Sequence, residues 1–280
     1  MFVILLCVCD AVGRVIQTLG ETEPVWGVTS LDNHLYVLHG NRSSDQIAVY
    51  DIDSYELLHC LTVLGLSVAD DIVACGHNRC AYISDWSHDS VHRLALSDAI
   101  VTQWPVDDVP ARLSLTVTHG VLVTCPAVGK IKEFSTDGQL LHELTLPEDV
   151  LSPFHTIQLS TGEFIVCHGD LNDSLHRVCL IGSDGSVILS FGGSDTQQMN
   201  VPAHMAVDRN GFVFVVDVNN HRVSLLSPVL TYVRDVMSRD QLRWGPYRVH
   251  LDSSRRRLYV AVNEINDGNF TDGEVVVVSV

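Results

Sequence analysis

A thirty-residue pattern constrains this chain more than any other feature, because it returns along the whole length. It is clearest at Met199–Pro228, which reads MNVPAHMAVDRNGFVFVVDVNNHRVSLLSP. Pro202 opens it, and an apolar stretch runs to Asp208 and stops at Asn210-Gly211. Asn and Gly tolerate positive φ, so this dipeptide predicts a tight hairpin turn. A second apolar run, Phe212–Val216, ends at Asp217, and a polar turn through Asn219 and His221 leads to a third, Val223–Leu226. Three short antiparallel strands cannot cover both faces of their own sheet. Stacking several copies solves that problem.

The copies are present. Tyr36, Tyr82, Leu122, Ile165, Phe214 and Tyr259 occupy one position of the pattern, spaced by 46, 40, 43, 49 and 45 residues. A fourth run follows in most copies: LLHCLTV, VTQWPV, QLLHELTL, SVILSFGG and TYVRDVMS. A period of about 45 residues with four strands per unit is that of a β-propeller. The expectation is therefore an all-β, six-bladed propeller of four-stranded antiparallel blades. It forms one domain over residues 1–280, with repeats near 20–63, 64–106, 107–146, 147–193, 194–238 and 239–280. The sixth copy reaches Val280 after three strands, and residues 12–19 carry the fourth-strand pattern. Pairing 12–19 onto 274–280 would close the ring and remove an exposed edge. Residues 2–9 then read as one strand too many. They lie outside the ring, or replace the C-terminal strand, or belong to a longer parent chain.

The apolar content of 46% supplies a core, and 18% charged residues argues against disorder. A net charge of −17, with two lysines among 17 basic residues, repels polyanions. Most of the eight cysteines sit inside apolar runs and no CxxC occurs. They read as buried reduced thiols of a cytoplasmic protein, with secretion as the alternative. The opening MFVILLCVCDAVG lacks a basic n-region, and its apolar run of about eight residues is far short of the roughly 20 that span a bilayer. No membrane association is expected, and the isolated domain is expected to be monomeric.

The polar marks of Met199–Pro228 resemble the NHL repeat: Pro, apolar pair, Asp, Asn/Gly turn, apolar strand, Asp, Asn, Arg, apolar strand. The second copy keeps Asp85 and Arg93; the others keep only the apolar frame. The chain is similar to a divergent propeller of the tripartite-motif (TRIM-NHL) type. That resemblance implies a protein-interaction role, as the substrate-recognition part of a ubiquitin-ligase-type protein. The RING, B-box and coiled-coil segments that carry such chemistry in that family have no counterpart in this sequence.

In a propeller, the loops entering first strands and those between second and third strands share one face. Acids outnumber bases among the residues that topology places there. The expectation is a non-enzymatic protein that binds a basic peptide or protein on this face through Trp86, Asp85, Asp89, Asp170, Asp173, Asp217, His221, Trp26 and Trp244. Tryptophans are frequent interface anchors, although packing between blades is their bland alternative. Single-stranded RNA binding, a second alternative, needs a basic, aromatic-lined face. Arg239 and Arg243 lie at the opposite end of a strand from Arg255–Arg257, so they do not form one patch. No G-x-S-x-G, Walker or dinucleotide motif occurs, and no cofactor is expected. The enzymatic alternative is a metal-dependent hydrolase or lyase using His155, His204 and His250, which come from three consecutive first strands. The bland reading is a ring of channel histidines bonded to backbone.

Overall fold

The computed structural model describes residues 13–21, 23–41, 44–169, 175–193, 198–266 and 269–280. Residues 2–9 lie outside them. Six four-stranded antiparallel sheets form six blades, with two single-turn 3-10 helices as the only helical segments among the described residues. Blade 1 comprises Val25–Leu31, His34–His39, Gln46–Asp51 and Leu57–Thr62. Blade 2 comprises Ala69–Cys75, Cys80–Asp85, Ser90–Ala95 and Val101–Pro105; blade 3, Leu113–Leu115, Val121–Cys125, Lys130–Phe134 and Leu140–Thr145. Blade 4 comprises Pro153–Gln158, Phe164–His168, Arg177–Ile181 and Val187–Gly192; blade 5, Pro202–Val207, Val213–Asp217, Arg222–Leu226 and Tyr232–Met237.

Blade 6 closes the ring as the sequence predicts. Its strands Gly245–Asp252, Arg257–Asn266 and Asn269–Ser279 receive Arg14–Glu21 as the fourth. The register runs from Arg14 opposite Ser279 to Glu21 opposite Gly273. The N-terminal segment is also tied to blade 5, where Gly13 N donates to Val236 O at 3.0 Å. Gln241 Nε2 in turn donates to Gly13 O at 2.9 Å.

The core is divided between blades. Second and third strands are buried almost throughout, while outer strands such as Leu57–Thr62 and Leu140–Thr145 are mostly exposed. Apolar clusters bridge neighbouring blades, as where Cys75, Tyr82 and Trp104 pack against Leu113, Val123 and Phe134. This is the burial that a single blade cannot achieve alone.

Local turn chemistry sets each copy. Asp208 Oδ1 accepts the backbone N–H groups of Asn210 and Phe212 at 2.8 Å each, and Gly211 takes φ +84°. Gly138 in blade 3 has φ +89°, and a Cβ there would lie 2.6 Å from the Trp104 side chain of blade 2. Left-handed backbone and interblade contact both demand glycine. Gly138→Ala should therefore cost about 2 to 4 kcal/mol, read as a lowered urea midpoint with an unchanged slope.

Candidate functional site

The loops that enter first strands and the loops between second and third strands gather at one end of the disc, around the mouth of the channel. Asp85 and Asp217 close the second strands of blades 2 and 5, and both are fully buried. This corrects the expectation that they contact a partner. Asp85 accepts from Ser67 N at 3.0 Å, Val68 N at 3.3 Å, Ser87 N at 3.1 Å and His88 Nδ1 at 2.9 Å. Burial pushes its carboxyl up, but these hydrogen bonds outweigh that effect and hold it at about 2. Asp217 accepts from Asn200 N at 2.7 Å, Asn220 Nδ2 at 2.8 Å and Arg222 Nε at 2.8 Å. Each carboxylate thus braces the loop entering the first strand of its own blade against the loop leaving its second strand. The aspartate that ends the second strand in these two copies is a fold device.

Trp26 is also buried, 2% exposed, and its Nε1 donates to Gly40 O at 2.9 Å. It packs edge-on against Phe270 at 5.3 Å, so the packing alternative wins for this tryptophan. Trp244 is half-buried against the core between blades 5 and 6, with the Arg243 guanidinium 4.3 Å over its ring. His221 is half-buried at φ +51°, and its pKa is lowered by burial and by Arg239. Asp170 and Asp173 lie outside the described residues. Trp86, by contrast, is 53% exposed, with exposed His88 and Asp89 beside it. Its backbone N–H is bonded to Val68 O at 2.9 Å, so the indole projects from a braced turn.

Inside the channel, strand register aligns one position of the six first strands. Gly27 pairs with Leu38, Asp71 with Ser84, His155 with Cys167, His204 with Val216 and Arg248 with Ala261. Arg112 falls at the same place, its carbonyl accepting from Thr124 N at 3.0 Å. Three members of this ring bind the backbone of the following blade. Asp71 Oδ2 accepts from Leu113 N at 2.9 Å, His155 Nδ1 from Met205 N at 3.1 Å and His204 Nδ1 from Val249 N at 3.5 Å. They are blade-to-blade staples at equivalent positions.

The same three residues place one ligand atom each within 4.8 Å of one another. His250 is not among them. It sits two residues further along its strand, opposite Tyr259, and its Nε2 accepts from Ser30 N of blade 1 at 3.2 Å. The predicted histidine trio is thereby corrected: Asp71 takes the place of His250. Both nitrogens of His155 are used, Nε2 donating to Leu113 O at 3.3 Å. His204 Nε2 donates to Asp71 at 3.4 Å, and its ring stacks on His155 at 3.9 Å. Burial holds both imidazoles far below their usual pKa, with His204 adding to the effect at His155 and Arg248 at His204. A metal here would have to displace existing hydrogen bonds beside two guanidinium groups, so the donor set does not fit one.

The missed members are Asp70, Asp71 and Arg248. Asp70 lies at a bulge just before the ring position and receives Arg112 Nη1 and, at 3.4 Å, Arg248 Nη2. Tyr247, at the corresponding bulge of blade 6, lies under both arginines, 5.6 Å from Arg112 Cζ and 4.0 Å from Arg248 Cζ. The long blade 6 hairpin brings Phe270 onto Tyr247 at 5.1 Å, at the edge of the mouth.

No family model matches this sequence, and no curated protein matches it. Solved structures do. Virginiamycin B lyase from Staphylococcus aureus is similar with a TM-score of 0.65 at 10% identity, covering 94% of this chain and 99% of that one. The WD40 propeller domain of Doa1 gives a TM-score of 0.63 at 13% identity over 95% of this chain and 96% of that one. The Cps50 (Swd1) propeller of Myceliophteria thermophila gives 0.59 at 10% identity, over 91% and 82%. At these identities the likeness establishes the six-bladed propeller and no family.

Proposed function

We propose that this chain is a non-enzymatic interaction propeller that takes a basic peptide or protein segment on its loop-bearing face, with Trp86 as anchor and Asp89 beside it. One observation carries the reading: an indole 53% exposed on a turn whose backbone is fixed from beneath by the buried Asp85 carboxylate. Rigid exposed aromatics lose little entropy on binding and dominate interface energetics. The net charge of −17 favours a cationic partner. The hydrogen-bonded state of Asp71, His155 and His204 supports a non-enzymatic reading, since both ring nitrogens of each histidine and one oxygen of Asp71 already have partners. In the setting that the NHL resemblance implies, the bound segment would belong to a protein selected for ubiquitylation.

Quantitative pull-down with the wild type and with Trp86→Ala plus Asp89→Lys checks this. Partners enriched by the wild type should fall at least tenfold with the variant, about 1.4 kcal/mol or more of binding energy. An unchanged partner set would sink the proposal.

A further inference from the structure

Two members of the channel ring do a job that blade stacking does not explain. Asp71, His155 and His204 each take up a backbone N–H of the next blade, whereas Arg112 and Arg248 stand at the same position and have no acceptor atom to offer. They reach to Asp70 instead. Both are buried, 7% and 1% exposed, and the Nε of each lacks a hydrogen-bond acceptor. Arg248 Nε lies 3.6 Å from Asp71 Oδ1, near enough for attraction and too far for a hydrogen bond. A buried donor without an acceptor is costly. Here two guanidinium groups carry that cost in one cluster.

The cluster already displays the chemistry it selects. Asp70 accepts from terminal nitrogens of both arginines, Arg112 Nη1 and Arg248 Nη2, which leaves the two Nε–H groups without an acceptor. Tyr247 holds the pair in place: its hydroxyl accepts from Arg112 Nη2 at 3.4 Å, and its carbonyl from Arg248 Nη1 at 3.0 Å. Burial, and then the charge of Arg248, depresses Arg112 to about 9. A guanidinium edge fits a planar carboxylate or a phosphate. Asp70, Asp71 and the net charge of −17 penalise a dianion more than a monoanion.

We propose that the Nε edges of Arg112 and Arg248 form a binding site for a carboxylate at the mouth of the channel. This site does not rest on the Trp86 reading and can fail separately from it. The carboxylate could come from a small organic acid or from the C-terminus of a peptide, and the two sources are separable. Melting of the full chain is followed in sodium propionate, sodium phosphate and sodium chloride at matched ionic strength, and with one short peptide in free-acid and C-terminally amidated forms.

Propionate should raise the melting temperature saturably above the chloride control. Free-acid peptide binding tighter than propionate, with the amidated form inert, assigns the site to a chain terminus. Equal affinity assigns it to a small acid. Arg112→Lys keeps the charge and removes the Nε edge, so a folded variant should bind at least tenfold more weakly. No shift beyond chloride, phosphate binding tighter than propionate, or a folded Arg112→Lys variant that binds normally would each overturn the proposal. The first two outcomes need only the wild-type chain.

Discussion

Replacing Arg248 by methionine is expected to remove about 3 to 5 kcal/mol of stability, the cost of leaving buried carboxylates without their counter-charge. Arg248 is 1% exposed and donates to the Asp70 carbonyl at 2.8 Å and carboxylate at 3.4 Å. Asp71, held on its other oxygen by Leu113 N, loses its nearest cation as well. Burial already raises the Asp71 pKa against the pull of Arg248, so removing that pull drives it further toward the neutral acid. The loss should therefore be larger at pH 8 than at pH 5. Adding Asp71→Asn to Arg248→Met should recover part of the stability, because an amide needs no counter-ion. Denaturant unfolding of the two single variants and the double variant gives the coupling. A single-variant loss below about 1 kcal/mol would show that the ring is not an electrostatic unit.

Acid is expected to weaken the propeller well above the pH at which its carboxylates titrate. His250 accepts the Ser30 N–H with Nε2, so the native state needs the neutral ring. Burial lowers its pKa to about 4, against an opposing contribution from Asp252. His168 is likewise lowered to about 4, by burial and then by Arg177. The unfolded chain binds these protons from about pH 6.5 downward while the folded chain refuses them. The stability is thus complete above about pH 6.5 and is lost as the pH falls toward 4. For His250 alone the loss is about 2 to 3 kcal/mol at pH 4.5, from a shift of 1.36 kcal/mol per unit. His155 and His204 add in the same direction, while the raised Asp71 acts oppositely. His250→Gln removes the titrating ring and should flatten the decline between pH 6.5 and 4.5 by that amount. Equal slopes in wild type and variant would contradict the staple role of His250.

The fold was legible because repetition averages out ambiguity. Tyr36, Tyr82, Leu122, Ile165, Phe214 and Tyr259 mark equivalent strand positions whatever the noise in any one copy, and the closing strand followed from counting edges. The site was harder for three physical reasons. Asp85 and Asp217 look like surface acids in a polar loop, but their carboxylates satisfy backbone N–H groups that burial would otherwise orphan. Trp26 belongs to an entry loop in sequence, yet the blade 6 hairpin folds Phe270 over it. The channel ring is hidden by a bulge that precedes it in five blades, at Trp26, Asp70, Phe154, Ala203 and Tyr247, and breaks the simple alternation of the first strand. His250 lies two residues past the ring position on its strand, so matching by residue type paired it with His155 and His204 and concealed Asp71 and Arg248. Counting two residues beyond the aligned second-strand positions and reading across to the first strand would have exposed all six members.

The claim that Trp86 anchors a basic segment is tested most directly with both components defined. A random peptide library is displayed and panned on the purified propeller, and recovered peptides are titrated against wild type and Trp86→Ala plus Asp89→Lys. The account predicts peptides in which lysine or arginine flanks an apolar residue, quenching of indole fluorescence on binding, and at least tenfold weaker binding to the variant. Recovery of acidic peptides, or of peptides that bind wild type and variant equally, would contradict it.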